Sequence, residues 1–196
     1  MGNLVLSGAT SGSITLEPTA VAGTTTLTLP AANGTIITTG SSGQSIPKAA
    51  LPTGSVLQVV QATYSTETTI NSTSYVDSGL SASIAPTSAT SKILVIASMA
   101  GDFYRNSNTA TRIFQNIVRT STQITEKAGQ FGTGTSSNGF VYTKLDTNLV
   151  YLDSPNTTSS TTYKVQGRTD TASNSATIRY QESNSTSVLI LIEVAA

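Results

Sequence analysis

Residues 92–99 read KILVIASM, and a second run of the same kind, TSVLILIEVA, occupies residues 186–195. Both are nearly continuous apolar runs, rich in β-branched residues and too short for a typical globular helix. Such runs read as central strands buried on both faces. They set the frame of an all-β protein, and the segments around them fill it.

The flanking segments alternate apolar and polar residues at the strand period. SVLQVVQATY (55–64) is followed by TTINSTSYVD (68–77), which leads to a turn at Gly79, and by GLSASIAP (79–86), ended by Pro86. TRIFQNIVRT (111–120) has helical spacing at Ile113, Phe114, Ile117 and Val118, but its β-branched residues and strand neighbours favour a strand. GFVYTKLDTNLVYLD (139–153) is long enough for two strands, and TTYKVQGRTD (161–170) and SATIRYQES (175–183) follow. About nine short strands with turn signals every ~10–20 residues give a sandwich, a jelly roll or a closed barrel. TSTQITEKAGQFGTGTSSNG (120–139) reads as a long exposed loop or an elaborated hairpin, where binding residues concentrate.

Composition agrees. Of 196 residues only 10% are charged, while 28 are Ser and 35 are Thr. Thr favours strands and Ser favours turns. Ten basic and ten acidic residues cancel, so there is no basic field for nucleic acid. The absence of Cys and His removes disulfides, thiolate metal sites and the commonest general base. MGNLVLSGATSG (1–12) has no basic start and no long apolar run, so it is not read as a secretion signal. No stretch reaches the ~18 apolar residues of a membrane-spanning helix.

Catalysis has little to stand on. Ser-His-Asp and Cys-His arrangements are impossible without His and Cys. A Ser-Lys pair through Lys92 or Lys144 has no motif around it. Asp146 with Asp153, and Glu126 with Asp102, are the carboxylate pairs a glycosidase would need, but scattered acids produce a few close pairs by chance. GTGTSSNG (132–139) lacks the Gly-Lys-Ser/Thr of a phosphate loop. Arg105, Arg112 and Arg119 are seven apart, an odd offset that alternates faces on a strand, so they read as three separate surface or inter-chain ion-pair residues. No catalytic, cofactor or metal residue is assigned. Tyr104 and Phe131 fall in expected loops and are the candidate surface contacts for a ligand such as a sugar.

The first 45 residues differ in kind. Glycine recurs at Gly12, Gly23 and Gly34, eleven residues apart, and a short run follows each: Ile14 and Leu16, then Leu27 and Leu29, then Ile36 and Ile37. Up to Gly40 the only charged side chain is Glu17. A unit with one two-residue apolar face cannot bury that face alone, and stacking on neighbours is the usual solution. Residues 1–45 therefore read as a thin β-repeat stem or anchoring arm, 46–54 as a Pro/Gly-punctuated linker or collar, and 55–196 as a head.

GATSGSITLEPTAVAGTTTLTLPAANGTIITTG (8–40) resembles the N-terminal repeat of fibre-like virion proteins of tailed bacteriophages, particularly those of marine and freshwater hosts. LPTGSVLQVVQA (51–62), STSYVDSGLSASIAPTSATSKILVIAS (72–98), SPNTTSSTTYKVQGRT (154–169) and STSVLILIEVA (185–195) resemble the head domain of the same group, while residues 103–150 match it only loosely. The resemblance implies a homotrimer with an intertwined β stem and three jelly-roll-like β-sandwich heads, and it carries over no catalytic residue. In such a trimer Leu16, Leu27, Leu29 and Ile36 line a narrow apolar axis, with Gly12, Gly23 and Gly34 at the turns. The expected partners are two further copies, other virion proteins held through the N-terminal region, and a host surface glycan. No cofactor, nucleic acid or membrane insertion is expected. The expected location is the virion, assembled in the host cytoplasm. The expected role is a short tail fibre; a capsid decoration or head-fibre protein with its arm docked on the shell is the alternative.

Overall fold

A computed structural model describes residues 4–7, 13–16, 51–106, 111–131, 140–171 and 176–196. The chain divides into two units, Met1–Ser45 and Ile46–Ala196. In the first, β1 (Leu4–Ser7) pairs antiparallel with β2 (Ser13–Leu16), Leu4 opposite Leu16 and Ser7 opposite Ser13. The first repeat strand thus has a partner in its own chain. Gly12, Gly23, Leu27, Leu29, Gly34 and Ile36 lie outside the described residues.

The second unit is all-β and its sheets are antiparallel. Its strands are β3 (Val56–Tyr64), β4 (Thr68–Ile70), β5 (Val76–Ile84), β6 (Lys92–Met99), β7 (Gly101–Asn106), β8 (Thr111–Arg119), β9 (Thr122–Phe131), β10 (Phe140–Lys144), β11 (Thr147–Asp153), β12 (Thr161–Thr169), β13 (Ala176–Tyr180) and β14 (Ser187–Val194). They form three four-stranded sheets, ordered β5-β12-β8-β9, β11-β6-β14-β3 and β10-β7-β13-β4. The last two orders match position by position. β11 adjoins β10 in the chain, β6 adjoins β7, β14 adjoins β13 and β3 adjoins β4. They are therefore two halves of one long four-stranded layer, broken at the same level in every strand.

The break is hydrogen-bonded across its width. Gln181 N–H donates to Ala100 O at 2.9 Å, Leu145 N–H to Gly101 O at 2.9 Å, and Ala100 N–H to Ser187 Oγ at 3.0 Å. A side chain at Gly101 would collide with Arg179 O, so only glycine lets β7 leave β6 there. About nine strands were expected; β7, β9 and the division of 139–153 into β10 and β11 bring the second unit to twelve among the described residues.

One buried cluster lies beneath all three sheets. Leu80, Ile84, Ile113, Ile117, Tyr163 and Val165 face it from β5-β12-β8-β9, and Ile93, Val95, Leu189 and Leu191 from β11-β6-β14-β3. Phe103, Ile178, Tyr180 and Ile70 face it from β10-β7-β13-β4. At period two, the inward residues are apolar and the outward ones face away.

KILVIASM does form a central strand, but the expected burial on both faces does not hold in the single chain. Ile93, Val95, Ala97 and Met99 are buried, whereas Leu94 and Ile96 on the opposite face are only half-buried. The same holds for β14, where Ile190 and Ile192 face outward half-buried. In register, Leu152, Leu94, Ile192 and Val59 form one outward row, and Val150, Ile96 and Ile190 the next, ended by Gln61. This aliphatic face is covered by nothing in its own layer.

Other expectations change too. TTINSTSYVD is not one strand: β4 ends at Ile70, and Val76 and Asp77 already belong to β5. Gly79 is not a turn but lies within β5, at φ +85° where the ladder to β12 shifts register, with the Tyr64 ring packed where a Cβ would stand. Of residues 120–139, the first part is a tight β8–β9 hairpin turning at Thr120, the elaborated-hairpin alternative rather than the loop. Residues 132–139 lie outside the described residues. TRIFQNIVRT is strand β8, and its register with β9 and β12 replaces the helical alternative.

Candidate functional site

The outward face of β10-β7-β13-β4 differs from that of the other half of its layer. Tyr142 on β10 stands opposite Tyr104 on β7, and Tyr104 stands opposite Thr177 on β13. One step towards the break, Lys144, Asp102 and Arg179 form the next row. Tyr142 is 45% exposed, which for a large aromatic on a sheet face is an open ring rather than a core residue. Tyr104 was expected in a loop; it lies instead within β7, because GDFYRN pairs with strands on both sides. Phe131 was likewise expected in a loop and is the last residue of β9, in a different sheet from Tyr104. The backbone does not bring the two candidates together on one sheet.

Charge frames the tyrosines. The Arg179 guanidinium sits 5.3 Å from the Tyr104 ring and forks onto the fully buried Asp102 carboxylate, at 2.9 and 2.6 Å. Asp102 keeps Arg179 even more firmly protonated than usual. Lys144 Nζ lies 5.6 Å from the Tyr142 ring and 2.9 Å from Glu182, whose carboxylate raises the lysine pKa. Glu182 is held below its usual range by the Ser183 hydroxyl and then by Lys144.

Beside this row, at the break in the layer, opens a cleft of about 470 Å³. Its wall includes Lys144, Asp146, Glu182, Ser98, Ser185 and Thr186. Glu182 belongs to a 3-10 turn, Glu182–Asn184, entered through Gln181 in the left-handed region. Two tyrosine rings, two cations, carboxylates and hydroxyls thus lie along one open surface. Rings of this kind stack on flat apolar faces while their hydroxyls and the charged groups address polar atoms.

The other polar candidates serve the fold. Asp153, itself buried, receives Arg119 Nη1 at 2.8 and 2.9 Å and the Tyr163 hydroxyl at 2.7 Å, with Arg119 partly open to solvent. Glu126 accepts from Tyr75 on the outward side of β9, far in the topology from Asp102. Lys92 Nζ reaches Ser154 Oγ at 3.1 Å on an exposed surface. The expectation that Arg105, Arg112 and Arg119 are surface or inter-chain residues holds for Arg112 alone, which pairs with Asp170 at 3.4 Å. Arg105 is buried in β7, and Arg119 pairs inward because its strand end faces β11. Among the described residues, no group of three or more acidic, His or Cys side chains is placed to hold a metal ion. No described helix is long and apolar enough to cross a membrane, which says nothing of β-barrels.

No protein family matches the chain, and no curated protein matches it. The signal for Tyr142 and Arg179 was absent from the sequence in isolation: only strand register places them beside Tyr104.

Proposed function

We propose that the chain is a non-enzymatic structural virion protein of a tailed bacteriophage, a short homotrimeric tail fibre. Its N-terminal region is held by other virion proteins, and its folded unit meets the host surface. The observation that carries this reading is the open Tyr104–Tyr142 face beside a hydroxyl- and carboxylate-rich cleft, a surface chemistry suited to a host glycan. The strand orders support a jelly-roll-like β-sandwich, since one layer reads β5-β12-β8-β9 and the other is the long broken layer of four. Viral capsid and lectin domains use that architecture. The commitment of Asp102 and Asp153 to buried ion pairs supports the absence of enzymatic work.

Immunogold labelling of intact particles with an antibody to residues 51–196 tests the reading. Gold at the tail supports a host-contact fibre. Gold spread over the capsid overturns it in favour of a decoration or cement protein docked on the shell, and unlabelled particles overturn both.

A further inference from the structure

We infer that the cleft at the break in the long layer selects sugars without acidic groups, and that Asp146 is the acceptor that holds a pair of neighbouring sugar hydroxyls there. This rests on the host-glycan reading of the tyrosine face and adds the class of glycan.

Charge is the first argument. Two cations stand at the cleft and in the row beside it, Lys144 and Arg179. Each is already held by a carboxylate, Lys144 by Glu182 at 2.9 Å and Arg179 by Asp102 at 2.6 Å. Asp146 lies on the cleft wall, is exposed, and takes part in none of the ion pairs among the described residues. Glu67 adds a further negative charge near enough for Arg179 to feel. The carboxylates Asp102, Glu182, Asp146 and Glu67 thus outnumber the cations Lys144 and Arg179 by two. A uronate, sialate or phosphate group entering here finds both cations engaged and an uncompensated carboxylate before it. Like charges brought together in a recess repel more strongly than in open water.

The second argument is the chemistry of Asp146. An ionised carboxylate only accepts, through two oxygens. Hydroxyls on neighbouring ring carbons of a sugar donate side by side, one to each oxygen, and hydrogen bonds to a charged acceptor are the stronger kind. The hydroxyls of Ser98, Ser183 and Thr186 on the same wall both donate and accept. Lys144 lines the cleft and also stands 5.6 Å from the Tyr142 ring, so one side chain joins the polar recess to the stacking surface.

Third, the cleft is shaped before any ligand arrives. Gln181, Ser183 and Asn184 are all left-handed, at φ +56°, +54° and +59°, and none is glycine. Such strain persists where the surroundings hold it, and it gathers at functional sites. Gln181 is fully buried and its N–H donates to Ala100 O at 2.9 Å, while Lys144 ties the end of β10 to Glu182 in the same turn. A site fixed in this way loses little freedom on binding. Its volume of about 470 Å³ lies within the range of small-molecule sites.

Binding of the full-length chain to matched oligosaccharides tests the inference. The probes are oligomers of glucose, galactose and mannose beside the corresponding uronates, with sialylated lactose. Binding is expected among the neutral members, and about tenfold or more weaker for each acidic counterpart. Asp146→Asn keeps the size of the side chain and breaks no ion pair. It is expected to weaken neutral binding about tenfold or more and to narrow the gap between neutral and acidic members. Thr162→Ala, exposed on the other layer, is the control and is expected to change neither. Acidic oligosaccharides that bind as tightly as their neutral counterparts overturn the selection and leave the glycan reading standing. Neutral binding unchanged by Asp146→Asn overturns the role of Asp146. Binding to no member of the set overturns both this inference and the glycan reading.

Discussion

Arg119 Nη1 lies 2.8 Å from Asp153 Oδ1 and joins the two layers of the fold, since Arg119 ends β8 and Asp153 ends β11. Tyr163, on β12, donates its hydroxyl to the same carboxylate at 2.7 Å. The acid is 5% exposed. Removing it takes the shared acceptor from a half-buried cation and a buried phenol. Asp153→Ala is expected to lower stability by about 2–4 kcal/mol, the lower part of the range for a broken buried pair being favoured because Arg119 retains some solvent. Urea denaturation checks this. A change below ~0.5 kcal/mol, the level of an ordinary surface substitution, contradicts the clamp.

Gly79→Ala tests the strained point in β5. The position has φ +85°, and the Tyr64 ring occupies the Cβ site. Left-handed strain and the ring displacement together are expected to cost about 2–3 kcal/mol. In the double variant with Tyr64→Ala, the steric part disappears, so the effect of Gly79→Ala shrinks towards ~1 kcal/mol, the backbone part alone. Equal effects in both backgrounds, read from thermal melts, contradict the packing.

Acid dependence follows from Glu193. Burial alone would raise its pKa, but hydrogen bonds from Thr87, Gln58 and Ser91 outweigh burial and hold it below the usual 4.5. A depressed carboxylate stabilises the fold at pH above its unfolded value and loses that contribution as pH falls through the folded value. Asp77 shifts the same way: hydrogen bonds from Lys164 and Gln166 overcome its burial. Stability is therefore expected to be flat above about pH 5 and to decline below about pH 4, and Glu193→Gln to flatten the decline. Denaturation midpoints from pH 2.5 to 7 measure it; an unchanged slope in the variant contradicts the assignment.

The alkaline limb has the opposite sign. Burial raises the pKa of Tyr75 to about 12, with help from Glu126, and raises those of Tyr163 and Tyr180 further. A raised acid group stabilises the fold below its unfolded pKa, about 10 for tyrosine, and that stability is lost as pH climbs through the folded value. Unfolding is expected to become easier above about pH 10, and the share of the phenolate absorbance that belongs to Tyr75, Tyr163 and Tyr180 is expected to appear with unfolding rather than before it. Phenolate formed in three steps while the fold persists contradicts this.

Tyr142→Ala is expected to leave stability within ~0.5 kcal/mol, because the ring stands on an open face. It is also expected to weaken adsorption of particles to host cells at least tenfold. Val76→Ala, at another exposed position, is the control and should adsorb normally. Undiminished adsorption by the Tyr142 variant contradicts a role for this face.

Strands with a strong pattern were legible in the sequence. KILVIASM matches β6 residue for residue, and SVLQVVQATY lies within one residue of β3, because apolar content and period two are local properties. The breaks were not legible. Ala100–Gly101 interrupts a strand with two small residues, and what makes it a break is Arg179 O pressing on Gly101 from a distant strand. Gly79 carried a turn signal, yet its role is set by Tyr64. Buried Asp102, Arg105 and Glu193 look like surface charges in sequence, since burial of a charge depends on partners that register supplies. For the candidate site, the sequence singled out Tyr104 but placed it in a loop, and Tyr142 and Arg179 became its neighbours only through the pairing of β10, β7 and β13.

The break across the long layer has a consequence for how the protein can vary. The same four chain segments present tyrosines and charges on one side of it and bare aliphatics on the other, while their inward side chains share one core. Among the outward positions of β7 and β10, Tyr142 and Lys144 are exposed, so substitutions there leave the interior in place, whereas Asp102 is fully buried beneath Arg179. On the aliphatic half, Val59, Val150 and Leu152 stand more than half exposed. Opposite ends of the same strands thereby offer two different surface chemistries over one shared interior.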